Sequence, residues 1–313
     1  MERTGHQAPG LVGSAAGALA FVALAGAMVS GDGRYTPLAI ALALGGFGGL
    51  AVLARETCRS SQASGGPSPD AGLEVTRASA EHTWERVLTV SVLLCLVLGL
   101  TTKPGAFVQG SAYRVVQVVV NLVLIGAVGH AFLRRAPVFR SCRAVFFVAV
   151  VAGFGLRLAM LVVSPSPVID VFVQFQESAQ HLLAGLNPYT VPFSDVYHGT
   201  HDYGYHALGY AYPPANLLLQ TVAYGLAGDV RYGCIAAEIV VAIALYRVAR
   251  PAPGRLVPML VVLLFLFHPR GLFVIEQGWT EPFIAGAFGL FLWLRDRRPE
   301  SAWPSRMPRT PSW

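Results

Sequence analysis

Ionisable side chains are scarce in this sequence, and they are gathered rather than scattered. The stretch from Ser164 to about Arg231 holds Asp170, Asp195, His198, His201, Asp202 and His206 among several tyrosines. A shorter stretch at 268–282, HPRGLFVIEQGWTEP, holds Arg270, Glu276 and Glu281. A carboxylate in such a wet segment can take the proton of a hydroxyl as a general base, or can simply be solvated. Three histidines and two aspartates are conceivable zinc ligands. Their loose spacing matches no metal-binding pattern, and no metal is expected. Two further charges, Arg157 and Glu238, stand inside apolar runs. Each lies about seven residues from the outer end of its run, so at ~1.5 Å per residue both sit about 10 Å deep. Intramembrane charges cost ~2.5–3.5 kcal/mol each on insertion scales. That cost and the matched depth favour a pair, or a role.

The element that positions these groups is a membrane bundle. Of 313 residues, 54% are hydrophobic and 13% charged, against ~25% charged in soluble domains. Such a chain cannot cover itself with polar groups in water, which excludes a soluble globular domain; the lipid bilayer is the solvent that suits it. The net charge of +6 is carried by arginines, with Lys103 the single lysine. They cluster at the ends of apolar runs, which reads as cytoplasmic anchoring rather than a nucleic-acid surface. Cys58, Cys95, Cys142 and Cys234 all fall outside the outer segments, so buried or cytoplasmic thiols are expected rather than a disulfide framework.

Eight apolar runs approach spanning length, near 11–30, 37–54, 87–102, 113–133, 143–164, 232–249, 255–268 and 282–294. A span needs ~20 residues, and the third and the last two are short. A second run follows the first almost at once, so the first is read as an uncleaved helix rather than a signal peptide. Residues 55–86, rich in Ser, Gly and Pro with mixed charge, read as a solvated loop. The loop RRAPVFRSCR carries Arg134, Arg135, Arg140 and Arg143, which marks a cytoplasmic side. The run at 143–164 then leads outward. The apolar stretch 212–227, YPPANLLLQTVAYGLA, decides the rest. If it crossed, Arg247, Arg250, Arg255, Arg295, Arg297 and Arg298 would all lie outside; if it does not, all six are cytoplasmic. The positive-inside rule favours the second arrangement, with 212–227 interfacial or re-entrant and both termini cytoplasmic. Outer segments then occupy 165–231 and 268–282. Within the first, 171–186 has helical periodicity. Val171, Phe172, Phe175, Ala179, Leu182, Leu183 and Leu186 fall on one face, as in a helix lying on the membrane surface.

The order of features in the first outer segment carries a resemblance. Asp170 follows closely on a span, then come a surface helix, the turn Gly185-Leu186-Asn187-Pro188-Tyr189, and Tyr212-Pro213-Pro214. This order resembles the polyprenol-phosphate-sugar-dependent membrane glycosyltransferases of the GT-C fold, in particular the bacterial mannosyltransferase-like group, over about 143–294. The resemblance implies an all-α polytopic bundle in the bacterial plasma membrane. It also implies a sugar, mannose first, moved from a polyprenyl-phosphate donor to a lipid or glycan acceptor outside the cell. The anomeric carbon is inverted, and no cofactor or nucleic acid takes part. Asp170 is the implied catalytic base. Arg270, Glu276 and Glu281 stand where such proteins place further polar site residues. Arginine suits a departing phosphate by charge and bidentate geometry, so Arg157 is expected to contact either Glu238 or the donor phosphate. The tyrosines, Tyr189 and Tyr212 among them, can stack on sugar rings or anchor at the interface.

The organisation expected is therefore an amino-terminal four-helix membrane region (1–142), the start of a GT-C-like core (143–294) and a cytoplasmic tail (295–313) without helical pattern. The helices before 143 have no counterpart in the resemblance, whose core continues beyond the fourth core helix at which this chain stops, so a truncated core is one expectation. The rival reading is a non-enzymatic membrane protein, such as a transporter subunit or an assembly partner for lipid-linked glycans. Such a transporter would carry polar groups along a route through the membrane, or broken helices in related halves.

Overall fold

A computed structural model describes residues 70–133, 139–198, 209–250 and 254–296, with a few isolated positions before residue 46. Between residues 70 and 296 these form nine helices, and there is no strand among the described residues. They are α1 (Asp70–Thr101), α2 (Ala112–Leu133), α3 (Phe139–Val163), α4 (Asp170–Leu183), α5 (Pro214–Ala227), α6 (Arg231–Val248), α7 (Val257–Leu266), α8 (Gly271–Gln277) and α9 (Glu281–Asp296).

Two of them are long and apolar enough to cross a membrane, Ala112–Phe132 and Ser141–Val163. A third span results if α7 and α8, bent by 49° at their break, are taken together. This is fewer than the eight runs of the sequence. The runs at 11–30 and 37–54 fall almost wholly outside the described residues. Helix α6 has 18 residues but carries Arg231, Glu238 and Arg247. Helix α7 has only 10, and at ~1.5 Å per residue it covers about half of a ~30 Å hydrocarbon core.

Of the solvated loop expected over 55–86, residues 55–69 lie outside the described residues, and the loop reading of 70–86 is corrected. From Asp70 the chain is already helical and runs 32 residues without a break. The sequence DAGLEVTRASAEHTWER is polar, but it is built from Ala, Glu, Arg and Leu, which favour helix in spite of their charge. Helix α5 has 14 residues, about 21 Å at ~1.5 Å per residue, too short for an ordinary span and in keeping with the interfacial or re-entrant reading.

Helix α7, VPMLVVLLFL, has no polar face, and eight of its ten residues are buried. A helix that is hydrophobic all round belongs in the middle of its bundle, and α7 packs against α1, α3 and α6. Leu260 and Leu263 join Val92 and Leu96 of α1 and Leu124 of α2 in the main core. On the outside, Val119 and Val123 of α2 and Val151 and Val162 of α3 stand exposed, as side chains facing lipid would.

The α1–α2 hairpin is held by polar groups at its tip. Arg114 donates to the carbonyls of Gly99, Leu100 and Thr102, placing a cation at the negative end of α1. Gln117 donates to Gly99 O (3.3 Å) and Asn121 to Leu96 O (3.3 Å). Asn121, a deep polar residue in the sequence, thus has its partner one helix away. Cys95, Cys142 and Cys234 are free and buried.

The segments read as outer meet at one end of the bundle. Gln109 N–H donates to Val163 O (2.9 Å), tying the 102–111 loop to the end of α3. The buried carboxylate of Glu276 in α8 accepts the N–H groups of Ala106 (2.5 Å) and Phe107 (2.8 Å). The same end receives the starts of α4 and α6.

Candidate functional site

Arg231 organises this end. It is fully buried at the first position of α6. Its guanidinium pairs with Asp229 (2.6 Å) and donates to Ser164 O (2.6 Å), Pro165 O (3.3 Å) and Glu276 O (3.5 Å). It also stacks over the Phe172 ring at 4.7 Å. One side chain therefore ties the exit of α3, the first turn of α4, the start of α6 and the end of α8. Sequence reasoning named no role for it. The signal was available: an arginine at the outer end of an apolar run departs from the positive-inside rule and needs a local reason.

Asp170 begins α4, two residues before Phe172. It is partly exposed, and its Oδ1 accepts the N–H of Val171 (2.8 Å) and the phenol of Tyr197 (3.4 Å). An acidic residue in the first turn also suits the positive end of the helix. Tyr197 belongs to a turn closed by Asp195 Oδ1, which accepts its N–H (2.9 Å). His201, Asp202 and His206 lie outside the described residues.

Beyond Asp170, α4 and the Asn187-Pro188-Tyr189 turn enclose an aromatic cluster. Tyr212 meets Phe175 edge-on at 4.7 Å, and Tyr189 meets Tyr210 edge-on at 5.6 Å. The Tyr189 hydroxyl donates to Tyr212 O (3.1 Å). Tyr210, absent from the sequence-level candidates, is the buried centre of the group. Burial raises its phenol well above the usual range, so it stays neutral and accepts from Asn216 Nδ2 (2.6 Å). Gly209 is required here, since a Cβ would run into the Tyr189 carbonyl.

The other expected site residues separate. Glu276 is a buried latch on the 104–108 loop, with Gln277 Nε2 also at 3.3 Å. Arg270 is half-buried at the α7–α8 break, its guanidinium 4.4 Å over Phe273. Its own N–H donates to His268 Nδ1 (3.3 Å). Glu281 is exposed in the first turn of α9. Of the two partners expected for Arg157, the structure supplies Glu238. Arg157 Nε pairs with Glu238 Oε2, while its terminal nitrogens donate to Gly153 O (3.0 Å) and Leu266 O (3.1 Å). Beside this pair a small cleft is lined by Gln117, Asn121, Arg157 and His268.

No family model, curated protein or solved structure matches the chain. The functional reading therefore rests on the residues and their arrangement.

The latch gives a direct expectation. A Cβ on Gly105 would collide with the Glu276 carboxylate. Gly105→Ala should therefore destabilise by roughly 1–3 kcal/mol through overpacking, and Glu276→Ala should do so by exposing the same two amides. Hydrogen exchange should show the 104–108 amides opening in both variants. Unchanged exchange would mean that the latch does not hold the loop.

Proposed function

We propose that this chain is, or is part of, a multi-pass membrane glycosyltransferase of GT-C type. In this reading it transfers a sugar, mannose first, from a polyprenyl-phosphate donor to a lipid or glycan acceptor at the extracytoplasmic face. The observation that carries the reading is the placement of Asp170. It stands where the chain leaves α3, at the end of the bundle where the segments read as outer converge. Both described bonds of its carboxylate use Oδ1, and in this reading Oδ2 meets the acceptor hydroxyl. In the reaction that oxygen takes the hydroxyl proton as the acceptor oxygen bonds to the anomeric carbon. The bond from that carbon to the phosphate oxygen breaks on the opposite face, so the configuration inverts, and the lipid phosphate leaves.

A cation near the leaving phosphate is part of the same reading. This reading assigns it Arg270, half-buried over Phe273 in the segment read as outer, and Arg157, which is paired with Glu238. Tyr189 and Tyr212 supply aromatic surface beside α4. The additional spans at 11–30 and 37–54, the cytoplasmic termini and the bacterial plasma membrane belong to this proposal too.

One observation favours the non-enzymatic alternative. The α7–α8 break and the adjacent Arg157–Glu238 pair place irregular backbone beside buried charge, as transporters do. Against it, Arg157 is satisfied within the bundle by Glu238 and two carbonyls. Donor choice separates the readings. Protein reconstituted in lipid should transfer labelled sugar from polyprenyl-phosphate mannose and not from a nucleotide sugar. Passage of sugar or lipid-linked sugar across the bilayer without any transfer would favour the alternative.

A further inference from the structure

Helix α5 is inverted with respect to water. Leu218, Leu219, Val222 and Leu226 are exposed, whereas Asn216, Gln220 and Thr221 are buried. An exposed apolar face suits lipid; the buried polar face needs a separate reason. It is met by α4, which packs alongside α5 and carries a polar stripe of its own. Gln174, Ser178 and His181 follow one another at i, i+4 and i+7, beside the apolar face of Phe172, Phe175 and Ala179. The surface face expected from the sequence is turned accordingly, with Leu183 and Leu186 exposed and Gln174 and Ser178 inside.

These two stripes are only partly satisfied: Thr221 donates to Leu217 O (2.8 Å) and Asn216 Nδ2 to Tyr210. Among the described residues eight buried side-chain polar atoms have no hydrogen-bond partner, and six of them lie here: Gln174 Oε1, Ser178 Oγ, His181 Nδ1, Asn216 Oδ1 and both Gln220 amide atoms. Such atoms cost about 1–3 kcal/mol each when left unpaired, so a concentration of them in one seam asks for partners. The described side-chain bonds of α4 reach the 228–230 link through Gln176 rather than α5. Helix α5 is bounded by Pro213-Pro214 and by Gly228, which has a left-handed backbone (φ 75°).

We propose that the seam beneath α5 is a subsite for a neutral sugar ring of the substrate, reached when α5 lifts from α4. The chemistry of the stripes selects this ligand class. Amides, a hydroxyl and an imidazole offer neutral donors and acceptors together, as sugar hydroxyls require. No arginine or lysine belongs to either stripe, so a phosphate would be poorly matched, and the carboxylate beside it on α4, Glu177, accepts the N–H of Ser194 (3.0 Å). Asn216 joins the seam to Tyr210, and Tyr189 and Tyr212 extend it with aromatic surface. The inference deepens the glycosyltransferase reading, because it assigns the sugar a place distinct from the proton-accepting Asp170.

The test is hydrogen exchange on the full chain in lipid nanodiscs, free of sugar detergents. The probes are methyl glycosides of mannose, glucose, galactose and arabinose, with inorganic phosphate as the charged contrast. At least one glycoside should slow exchange of the 214–227 amides saturably, and phosphate should not. Gln220→Leu should weaken that binding about 10-fold, the equivalent of ~1.4 kcal/mol, with an unchanged or higher melting temperature because an orphaned amide is gone. Ser178→Ala should act in the same direction. Protection by none of the glycosides, protection by phosphate instead, or protection undiminished in both seam variants would overturn the subsite. Protection in a wild-type protein that transfers no sugar would uphold the subsite and remove the transferase reading.

Discussion

Asp170→Asn should lower the rate of sugar transfer by roughly 10²–10⁴-fold, the usual contribution of a positioned general base, without lowering stability. The substitution keeps shape and keeps an oxygen to accept from Val171 N–H and the Tyr197 phenol. Only the second oxygen is lost, replaced by an amide that cannot take a proton. Asp195→Asn is the matched control. Asp195 lies in the same 165–231 segment and supports the Tyr197 turn, but it does not begin a helix at the exit of α3. Its loss should leave the rate near that of wild type. Initial rates with purified, reconstituted protein, alongside thermal midpoints, separate the two kinds of effect. A rate that falls only in proportion to stability would remove Asp170 from the chemistry.

Breaking the Arg157–Glu238 pair should cost roughly 3–5 kcal/mol for either single substitution, because each leaves a buried charge without its partner. Arg157 is 1% exposed and Glu238 4%, so neither can reach water without rearrangement. The two are not equivalent. Glu238→Gln leaves the arginine bonded to Gly153 O and Leu266 O. Arg157→Met strands the carboxylate and also removes the donor to Leu266 O at the end of α7, and should be the worse of the two. Combining Arg157→Met with Glu238→Leu should recover most of the loss, since an apolar pair of similar volume is often neutral or stabilising. Thermal melts of wild type, Arg157→Met, Glu238→Leu and the double variant complete the cycle. Additive losses in the double variant would mean that the residues act independently.

What the sequence made legible follows from what is local. Charge placement and apolar length located α2 and α3 to within a few residues, and counting residues from the run ends matched Arg157 to Glu238 across 81 positions. The stretch 70–86 was misread because polarity was taken for irregularity, although many of its residues favour helix. Helix α7 was read as a short span; it is a candidate for one only together with α8 across the 49° break, and eight of its ten residues are buried. The site residues were harder. Glu276 has the type and location of a substrate contact, and its partners at Ala106 and Phe107 lie about 170 positions away. No spacing rule reveals a latch between such distant segments. The face of α4 was drawn from its apolar residues alone, so the polar half of its buried surface, matched to Asn216 and Gln220, went unseen until α5 was placed beside it.

The most direct measurement is transfer in right-side-out membrane vesicles supplied with radiolabelled polyprenyl-phosphate mannose, comparing wild type with Asp170→Asn at equal protein. The account predicts label moving into the lipid or glycan acceptor pool with wild type and not with the variant. Equal transfer by both, or none by a wild-type protein that is folded and inserted, would contradict it.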